Sequence, residues 1–154
     1  MSLSDVETRL LAALDESAVV DDLVRLVRVP SVTGTDAESE LQHEQSESLR
    51  SWGFNVDAWK LDLDELGRHP DFPGSEAERS EGYGLVGTIG EGVPALVLQG
   101  HVDVVPTGDL ERWHDHDAFS GRIVDGVLHG RGACDMKAGV AANLAVARVL
   151  GTSG

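Results

Sequence analysis

The apolar positions near the start of the chain follow the period of an α-helix rather than that of a strand. They are Leu10, Leu11, Leu14, Leu23, Leu26 and Val27. Ser4 and Glu7 have the spacing of a capping box, which favours a helix start at this point. The pattern predicts one or two amphipathic helices that end before Pro30, because a residue that precedes proline avoids helical geometry.

The next part of the chain changes from helical to alternating periodicity. Residues 37–53 predict a second helix with Gly53 just past its end, where a left-handed residue is favoured. Residues 54–62 alternate apolar and polar side chains and predict a strand. Residues 63–82 are rich in charge, glycine and proline. They predict a surface loop that is long enough to cover or border another part of the structure.

Shorter apolar runs follow, separated by turn residues. Residues 83–92 and 94–105 predict two strands joined by a short Gly/Pro turn, with the stretch PALVLQ as a buried strand. After a loop at residues 106–121, the stretch RIVDGVLHG predicts a hairpin because its DG pair lies between apolar residues. Small residues at 136–151 predict a final helix. This interleaving predicts an α/β fold, a layered sheet with flanking helices.

Length and composition narrow the class of protein. A chain of 154 residues with 41% hydrophobic residues is expected to form one domain around a single core. No run approaches the roughly 18 apolar residues of a membrane span. The stretch MSLSDVETRL lacks the basic start and apolar run of a signal peptide, so we expect a cytoplasmic protein. Cys134 is the one cysteine, which excludes an internal disulfide and a cysteine-based zinc site.

The charge of the chain is strongly acidic. Asp and Glu total 27 against 12 Lys and Arg, for a net charge of -15. Repulsion on this scale destabilises a compact domain in dilute buffer, but it is screened where salt is concentrated. The pattern is typical of a protein from a salt-loving organism, and the alternative is an ordinary acidic cytoplasmic protein. In either case the absence of a basic patch disfavours nucleic-acid binding.

A histidine and an aspartate follow the apolar run, in the stretch GHVDVVP. His101 and Asp103 are two positions apart, so their side chains are expected on one face of a strand. In open α/β sheets, ligands bind beyond the carboxyl ends of the strands. Imidazole is a common zinc ligand, and a carboxylate usually holds its other ring nitrogen. Taken alone, a histidine at a strand end is more often structural.

A further carboxylate lies in the glycine-rich stretch GRGACDMKAG, just ahead of the predicted final helix. Standing alone, Asp135 would be interpreted as a helix N-cap, because aspartate is among the best capping residues. Glycines in the turn would also let the backbone approach a bound ion or substrate. A strand end with His101 and Asp103, followed by a turn with a carboxylate, favours a shared cation site.

The stretches GHVDVVP and GRGACDMKAG resemble the two N-terminal signature motifs of the zinc-dependent aminoacylase and metallopeptidase family. Its members include acetylornithine deacetylase, succinyl-diaminopimelate desuccinylase, glutamate carboxypeptidase and aminoacylase. The connecting stretch RWHDHDAFSGRIVDGVLHGRG also resembles the family, with its tryptophan, aspartate and phenylalanine ahead of the glycine turn. The resemblance spans nearly the whole chain. It implies a hydrolase that cleaves the amide bond of N-acyl amino acids or small peptides.

The resemblance also implies a role for each matched residue. His101 matches a histidine that binds one metal ion, Asp103 the carboxylate that orients this histidine, and Asp135 an aspartate that bridges two metal ions. Two divalent cations are implied, with zinc favoured and cobalt or manganese as alternatives. Two metals about 3.5–4 Å apart can polarise a carbonyl and make hydroxide available near neutral pH. The resemblance further implies a cis peptide bond at Asp135–Met136.

The resemblance assigns residues 1–154 to the N-terminal portion of a catalytic metal-binding domain. In longer members the general-base glutamate, the remaining ligands and a lid domain with dimer contacts follow later in the chain. We therefore expect that the full-length protein acts on a small-molecule substrate. It is expected to form a homodimer only if the lid domain is present. The alternative is a non-catalytic, truncated fragment, because the chain offers two metal ligands and no general base at the required position.

The other histidines and the cysteine are expected to lie outside the site. The loop histidines His114 and His116 have no counterpart in the family motifs and are interpreted as structural or solvent-facing. His43 and His69 lie in polar surroundings and are interpreted in the same way. His129 is expected to pack on its short strand. Cys134 adjoins Asp135 and is expected to be a small buried residue.

Overall fold

The computed structural model describes residues 3–75 and 77–152, and it begins with two consecutive helices. Helix α1 spans Asp5–Ala12 and helix α2 spans Glu16–Arg28. Ser4 and Glu7 form the predicted capping box, in which each side chain accepts a hydrogen bond from the other residue's backbone N–H. Both helices end before Pro30, as the sequence predicted.

A longer helix and an antiparallel strand pair follow. Helix α3 spans Asp36–Ser51, and Gly53 after it has a φ of 84°, which confirms the predicted helix end. Strand β1 (Asn55–Lys60) pairs with strand β2 (Tyr83–Thr88), and α3 packs against both strands. The alternating pattern therefore predicted β1 correctly.

The connection between β1 and β2 begins with a short helix rather than with a loop. Helix α4 spans Leu63–Arg68, and the carboxylate of Asp62 caps it by accepting a 2.8 Å hydrogen bond from the Glu65 N–H. The prediction of a loop from residue 63 onward is therefore wrong for these six residues. A capping aspartate ahead of two leucines at helical spacing is enough to form this helix within a polar segment.

The apolar run at residues 94–99 does not form the predicted buried strand. All of these residues are exposed, with Leu96 60% and Val97 78% accessible. A strand needs a hydrogen-bonded neighbour, and within the described residues no strand lies beside this run. The prediction is wrong because apolar composition leads to burial only where another layer covers the strand.

A hairpin and a long helix complete the described chain. Strand β3 (Arg122–Val124) pairs with strand β4 (Val127–His129), as predicted. The two turn residues Asp125 and Gly126 both have positive φ, at 51° and 79°, as a tight hairpin requires. Helix α5 spans Ala138–Thr152 and follows an irregular turn at Ala133–Lys137.

The core lies where α2, α3 and α5 meet the extended segment around Val102. Six buried residues form one apolar cluster: Leu26, Leu41, Val102, Val140, Ala141 and Leu144. The fold class is α/β, as predicted, although each sheet of the described residues has only two antiparallel strands. No helix in the described part of the chain is both long and apolar enough to cross a membrane.

Candidate metal centre

His101 and Asp103 lie on the extended segment that follows the exposed run. Val102, which lies between them, is 6% exposed, and Val104, which follows Asp103, is 3% exposed. The side chains of His101 and Asp103 are 46% and 32% exposed. The alternation places both polar side chains on the face that points away from the core. This is the arrangement that their two-residue spacing predicted.

The segment is held in position by residues 31–33, which follow α2. The Val104 N–H donates to the Ser31 carbonyl at 2.9 Å, and the Thr33 N–H donates to the Val104 carbonyl at 3.0 Å. The hydroxyl of the fully buried Ser31 donates to the Val102 carbonyl at 2.7 Å. These bonds form a short parallel pairing between Val32 and Val104, which fixes the direction of the His101 and Asp103 side chains.

Asp135 lies in the tight turn ahead of α5. Gly132 opens this turn with a φ of 80°, and a Cβ at this position would lie 2.3 Å from Cγ1 of Val104. The Lys137 N–H donates to the Gly132 carbonyl at 2.9 Å and closes the turn. The Asp135–Met136 peptide bond is cis, which confirms the prediction drawn from the family resemblance. The turn therefore packs directly on the segment that carries His101.

The His101 imidazole lies between two carboxylates. Its Nε2 atom is 3.2 Å from Oδ1 of Asp135, and its Nδ1 atom is 3.2 Å from Oδ1 of Asp103. If the Nδ1–H donates to Asp103, the Nε2 lone pair faces an anionic oxygen of Asp135. Two facing acceptors require a proton or a cation between them. A divalent cation on the Nε2 side of the ring would satisfy both acceptors.

The separation of the two candidate ligand atoms fits a small divalent cation. Tetrahedral zinc with bonds of about 2.0–2.1 Å separates neighbouring ligand atoms by roughly 3.3 Å. The measured distance from His101 Nε2 to Asp135 Oδ1 is 3.2 Å. The Asp135 side chain is 89% exposed, so its second oxygen is open to solvent. Within the described ranges, no group of three or more His, Cys, Asp or Glu side chains has the geometry of a metal site.

The candidate ligands line a cavity of about 430 Å³ between the extended segment and the glycine-rich turn. Its walls include Thr33, His101, Asp103 and residues 130–135. A second cavity of about 1050 Å³ shares Thr33 and Asp103 with it and is lined by residues from 61 to 80. The long connection between β1 and β2 therefore borders the site, as its length predicted.

Thr33 is a site residue that sequence reasoning missed. Its hydroxyl donates a 2.8 Å hydrogen bond to Oδ2 of Asp103, the oxygen that does not face His101. The bond leaves Oδ1 of Asp103 directed at the imidazole. A threonine in the loop after Pro30 has no distinguishing local pattern, and its role appears only through the pairing of Val32 with Val104.

Lys137 is a second residue that sequence reasoning missed. Its side chain is fully buried, and its ammonium donates 2.8 Å hydrogen bonds to the carbonyls of Leu26 and Val29. Burial lowers the pKa of this ammonium to about 8, and the negative charge of Asp103 acts in the opposite direction. A lysine two positions after Asp135 thus joins the turn to the end of α2.

The remaining histidines and the cysteine take no part in the contact between His101, Asp103 and Asp135. Both His114 and His116 are exposed, as predicted, and so are His43 and His69. The prediction that His129 packs on its strand is wrong: its side chain is exposed, because this end of β4 has no layer over it. The prediction that Cys134 is buried is also wrong, since the turn directs it outward into the rim of the smaller cavity.

Comparisons with known proteins match the same region. Residues 97–154 match the model of peptidase family M20/M25/M40. Similar proteins include a succinyl-diaminopimelate desuccinylase of Rhodopseudomonas palustris, 41% identical over 81% of this chain and 28% of that protein. Another, from Stenotrophomonas maltophilia, is 42% identical over 82% of this chain and 28% of that protein. A third, from Xanthobacter autotrophicus, is 56% identical over 45% of this chain and 17% of that protein.

The chain spans less than a third of the length of these curated relatives. The matched region includes both stretches that carry the candidate site, with His101 and Asp103 in the first and Asp135 in the second. The chain therefore belongs to peptidase family M20/M25/M40, as the resemblance of these two stretches to its N-terminal motifs predicted.

Proposed function

We propose that the whole protein is a dinuclear metal-dependent amidohydrolase that cleaves N-acyl amino acids or small peptides. The observation that supports this most directly is the 3.2 Å contact between His101 Nε2 and Asp135 Oδ1, with Asp103 behind the imidazole. The relatives are named succinyl-diaminopimelate desuccinylases, so an N-succinyl diamino acid is the first substrate to test.

Each residue of the contact has a distinct part in this proposal. The backbone carbonyl and the carboxylate of Asp103 lie 3.1 Å and 3.2 Å from Nδ1 of His101, so an Nδ1–H donated there would leave the Nε2 lone pair pointing outward. Asp135 offers two oxygens on an exposed side chain, so its carboxylate is suited to hold two cations at once. Gly130 and Gly132 let the turn that carries Asp135 pack closely on the core, because a Cβ on either would collide with the side chain of Val27 or Val104.

Two bound divalent cations would polarise the scissile carbonyl and make hydroxide available near neutral pH. His101 and Asp135 would hold them, and zinc is favoured over cobalt and manganese by the imidazole and carboxylate donors. Asp103 would keep the imidazole oriented throughout the reaction. We assign no general base among the described residues.

A second candidate is that these residues alone bind a cation without hydrolysing an amide. The observation that favours it is that, in the described part of the chain, no third His, Cys, Asp or Glu completes a metal site with His101 and Asp135. Zinc sites usually use three or four protein ligands, so binding to this chain would be weak. The two candidates differ in turnover, not in the location of the cation.

The test is a calorimetric titration of the metal-free 154-residue chain with Zn²⁺, repeated on His101→Ala and on a matched control. His114→Ala is that control, because His114 Nδ1 also lies 3.2 Å from an aspartate oxygen, that of Asp115, outside the site. We expect saturable binding in the wild type and in His114→Ala, and its loss in His101→Ala. Equal binding in the two variants would exclude the site.

Hydrolysis is tested in the protein at its natural length. We expect Zn²⁺-dependent release of succinate from an N-succinyl diamino acid, and its loss in His101→Ala. N-acetyl amino acids and dipeptides serve as the alternative substrates. Metal binding without turnover on any of them would favour the second candidate over the first.

A further inference from the structure

Lys137 is the one charged residue that the described chain buries completely. Its Nζ atom donates to the carbonyls of Leu26 and Val29, both at 2.8 Å. These carbonyls belong to the last turn and the C-cap of α2, where they also accept hydrogen bonds from the N–H groups of Val29 (3.3 Å) and Ser31 (2.9 Å). The C-terminal end of a helix dipole also favours a cation. Two of the three ammonium N–H groups therefore have acceptors, although burying the charge is costly.

The backbone of Lys137 closes the turn that carries Asp135. Its N–H donates to the Gly132 carbonyl at 2.9 Å, so residues 132–137 form a closed unit. The side chain then extends from this unit across to α2. Any movement of the turn relative to α2 would have to break one or both of the 2.8 Å bonds. The position of Asp135 is thereby coupled to the end of that helix.

The same helix end leads directly to the other half of the site. Pro30 follows Val29, and the next residue, Ser31, bonds to both Val104 and Val102. Thr33 then bonds to Asp103, which contacts His101. One ammonium thus joins the turn of Asp135 to the segment that orients the Asp103 carboxylate. A simple packing role would be served equally well by an uncharged side chain of the same length.

We propose that Lys137 is a positioning residue for the metal centre. Its two hydrogen bonds to the end of α2 set the separation between Asp135 and the His101–Asp103 pair. It touches neither substrate nor cation, and it acts through the turn on one side and through residues 31–33 on the other. The inference rests on the proposed function, because the separation matters only if His101 and Asp135 hold a cation.

The test compares the Zn²⁺ dissociation constants of the wild type, Lys137→Met and Lys137→Gln, each at the protein's natural length, in molar KCl. Methionine keeps the length and removes both donors, and glutamine keeps one amide group with a shorter reach. We expect binding about 10-fold to 100-fold weaker in each, the range seen when residues that orient metal ligands are replaced. The absorption bands of the Co²⁺ complex should also shift, because they report ligand geometry.

Two controls separate positioning from stability. Lys60→Met removes the other lysine of the chain, which is exposed and paired with Glu81, and it should bind Zn²⁺ as the wild type does. Leu41→Ala destabilises the core on α3 without touching the turn. At a temperature where both are folded by circular dichroism, Leu41→Ala should keep the wild-type affinity and spectrum.

The outcomes distinguish this inference from the proposed function. A wild-type protein of natural length without saturable Zn²⁺ binding would overturn both. Wild-type affinity in the folded Lys137→Met or Lys137→Gln variant would overturn the positioning role alone. Equal losses in Lys137→Met and Leu41→Ala would also overturn it, because both would then reflect general destabilisation.

Discussion

The Thr33 hydroxyl donates a 2.8 Å hydrogen bond to Oδ2 of Asp103, although the two residues are 70 positions apart in the chain. The bond occupies the carboxylate oxygen that faces away from His101. Oδ1 remains 3.2 Å from Nδ1 of the imidazole. A loop hydroxyl therefore holds the carboxylate that contacts the candidate metal ligand.

Replacing Thr33 by valine should weaken metal binding with little effect on packing. Valine has the same shape but no hydroxyl, so the Asp103 carboxylate loses one of its two partners. We expect a Zn²⁺ dissociation constant about 10-fold higher, with a stability loss of about 1 kcal/mol. Calorimetric titration measures the first and urea unfolding the second. Thr33→Ser keeps the hydroxyl and should retain the wild-type affinity, and identical constants in the two variants would refute the role of Thr33.

Two glycines with nearly the same positive φ should respond differently to alanine. Gly132 and Gly126 have φ values of 80° and 79°. A Cβ on Gly132 would lie 2.3 Å from Cγ1 of Val104, whereas a Cβ on Gly126 would meet nothing within 4 Å. We expect Gly126→Ala to cost about 1 kcal/mol from strain alone. Gly132→Ala should cost roughly 1–3 kcal/mol more, because the turn is pushed off the segment of His101.

Urea unfolding of the metal-free variants measures both costs. Because the strain is common to both positions, the difference between the variants isolates the packing of the turn against Val104. Equal losses of stability in Gly126→Ala and Gly132→Ala would show that the turn does not depend on this close approach.

Local patterns predicted most of the helices and both of the hairpin's strands. The capping box of Ser4 and Glu7, and the glycine at 53, depend on interactions within a few residues, so the sequence contains them in full. The same is true of the Asp125–Gly126 turn. Non-local interactions are different. The run at 94–99 has the composition of a buried strand, but burial requires a neighbour that no local pattern specifies.

The site was predictable to a similar extent. Alternation along a strand placed His101 and Asp103 on one face, and the family resemblance pointed to Asp135. Thr33 and Lys137 could not be predicted in this way. Their bonds join residues 70 and more than 100 positions apart, and a threonine in a loop or a lysine beside a helix is usually solvated.

The acidic surface should make the stability of the chain depend on salt. A net charge of -15 gives strong self-repulsion in dilute buffer, and the Debye length falls to about 3 Å at 1 M salt. We expect the melting temperature to rise steeply between dilute buffer and molar KCl, as measured by circular dichroism. A flat response would refute the interpretation that the chain is adapted to high salt.

A variant with fewer surface charges tests the cause of that response. Four exposed carboxylates are suitable for replacement by amides: Glu40, Asp57, Glu91 and Glu111. If repulsion is the cause, the quadruple variant should melt higher than the wild type in dilute buffer and respond less to KCl. An unchanged salt response would point instead to a general effect of salt on burial of apolar surface.

The buried ammonium of Lys137 should make stability rise with pH in the metal-free chain. Burial lowers its pKa to about 8 in the folded chain, from 10.5 for the free side chain. Between these two values the unfolded chain binds more protons than the folded chain, so the free energy of unfolding increases with pH. Below about pH 8 both states hold the proton and this contribution is constant. Across the whole window the gain should be on the order of 3 kcal/mol, at 1.36 kcal/mol per pKa unit.

Urea unfolding across this window, with a chelator present, measures the effect as the difference in stability between the wild type and Lys137→Met. The wild type should gain stability relative to Lys137→Met from pH 8 to pH 10.5. A constant difference in stability would mean that the hydrogen bonds to the two carbonyls fully offset the cost of burying the ammonium. Lys60 provides a control of opposite sign, because its hydrogen bond to Glu81 raises its pKa above 10.5. The difference between the wild type and Lys60→Met should therefore stay constant through the window and decline only above it, as the ammonium loses its proton in the folded chain.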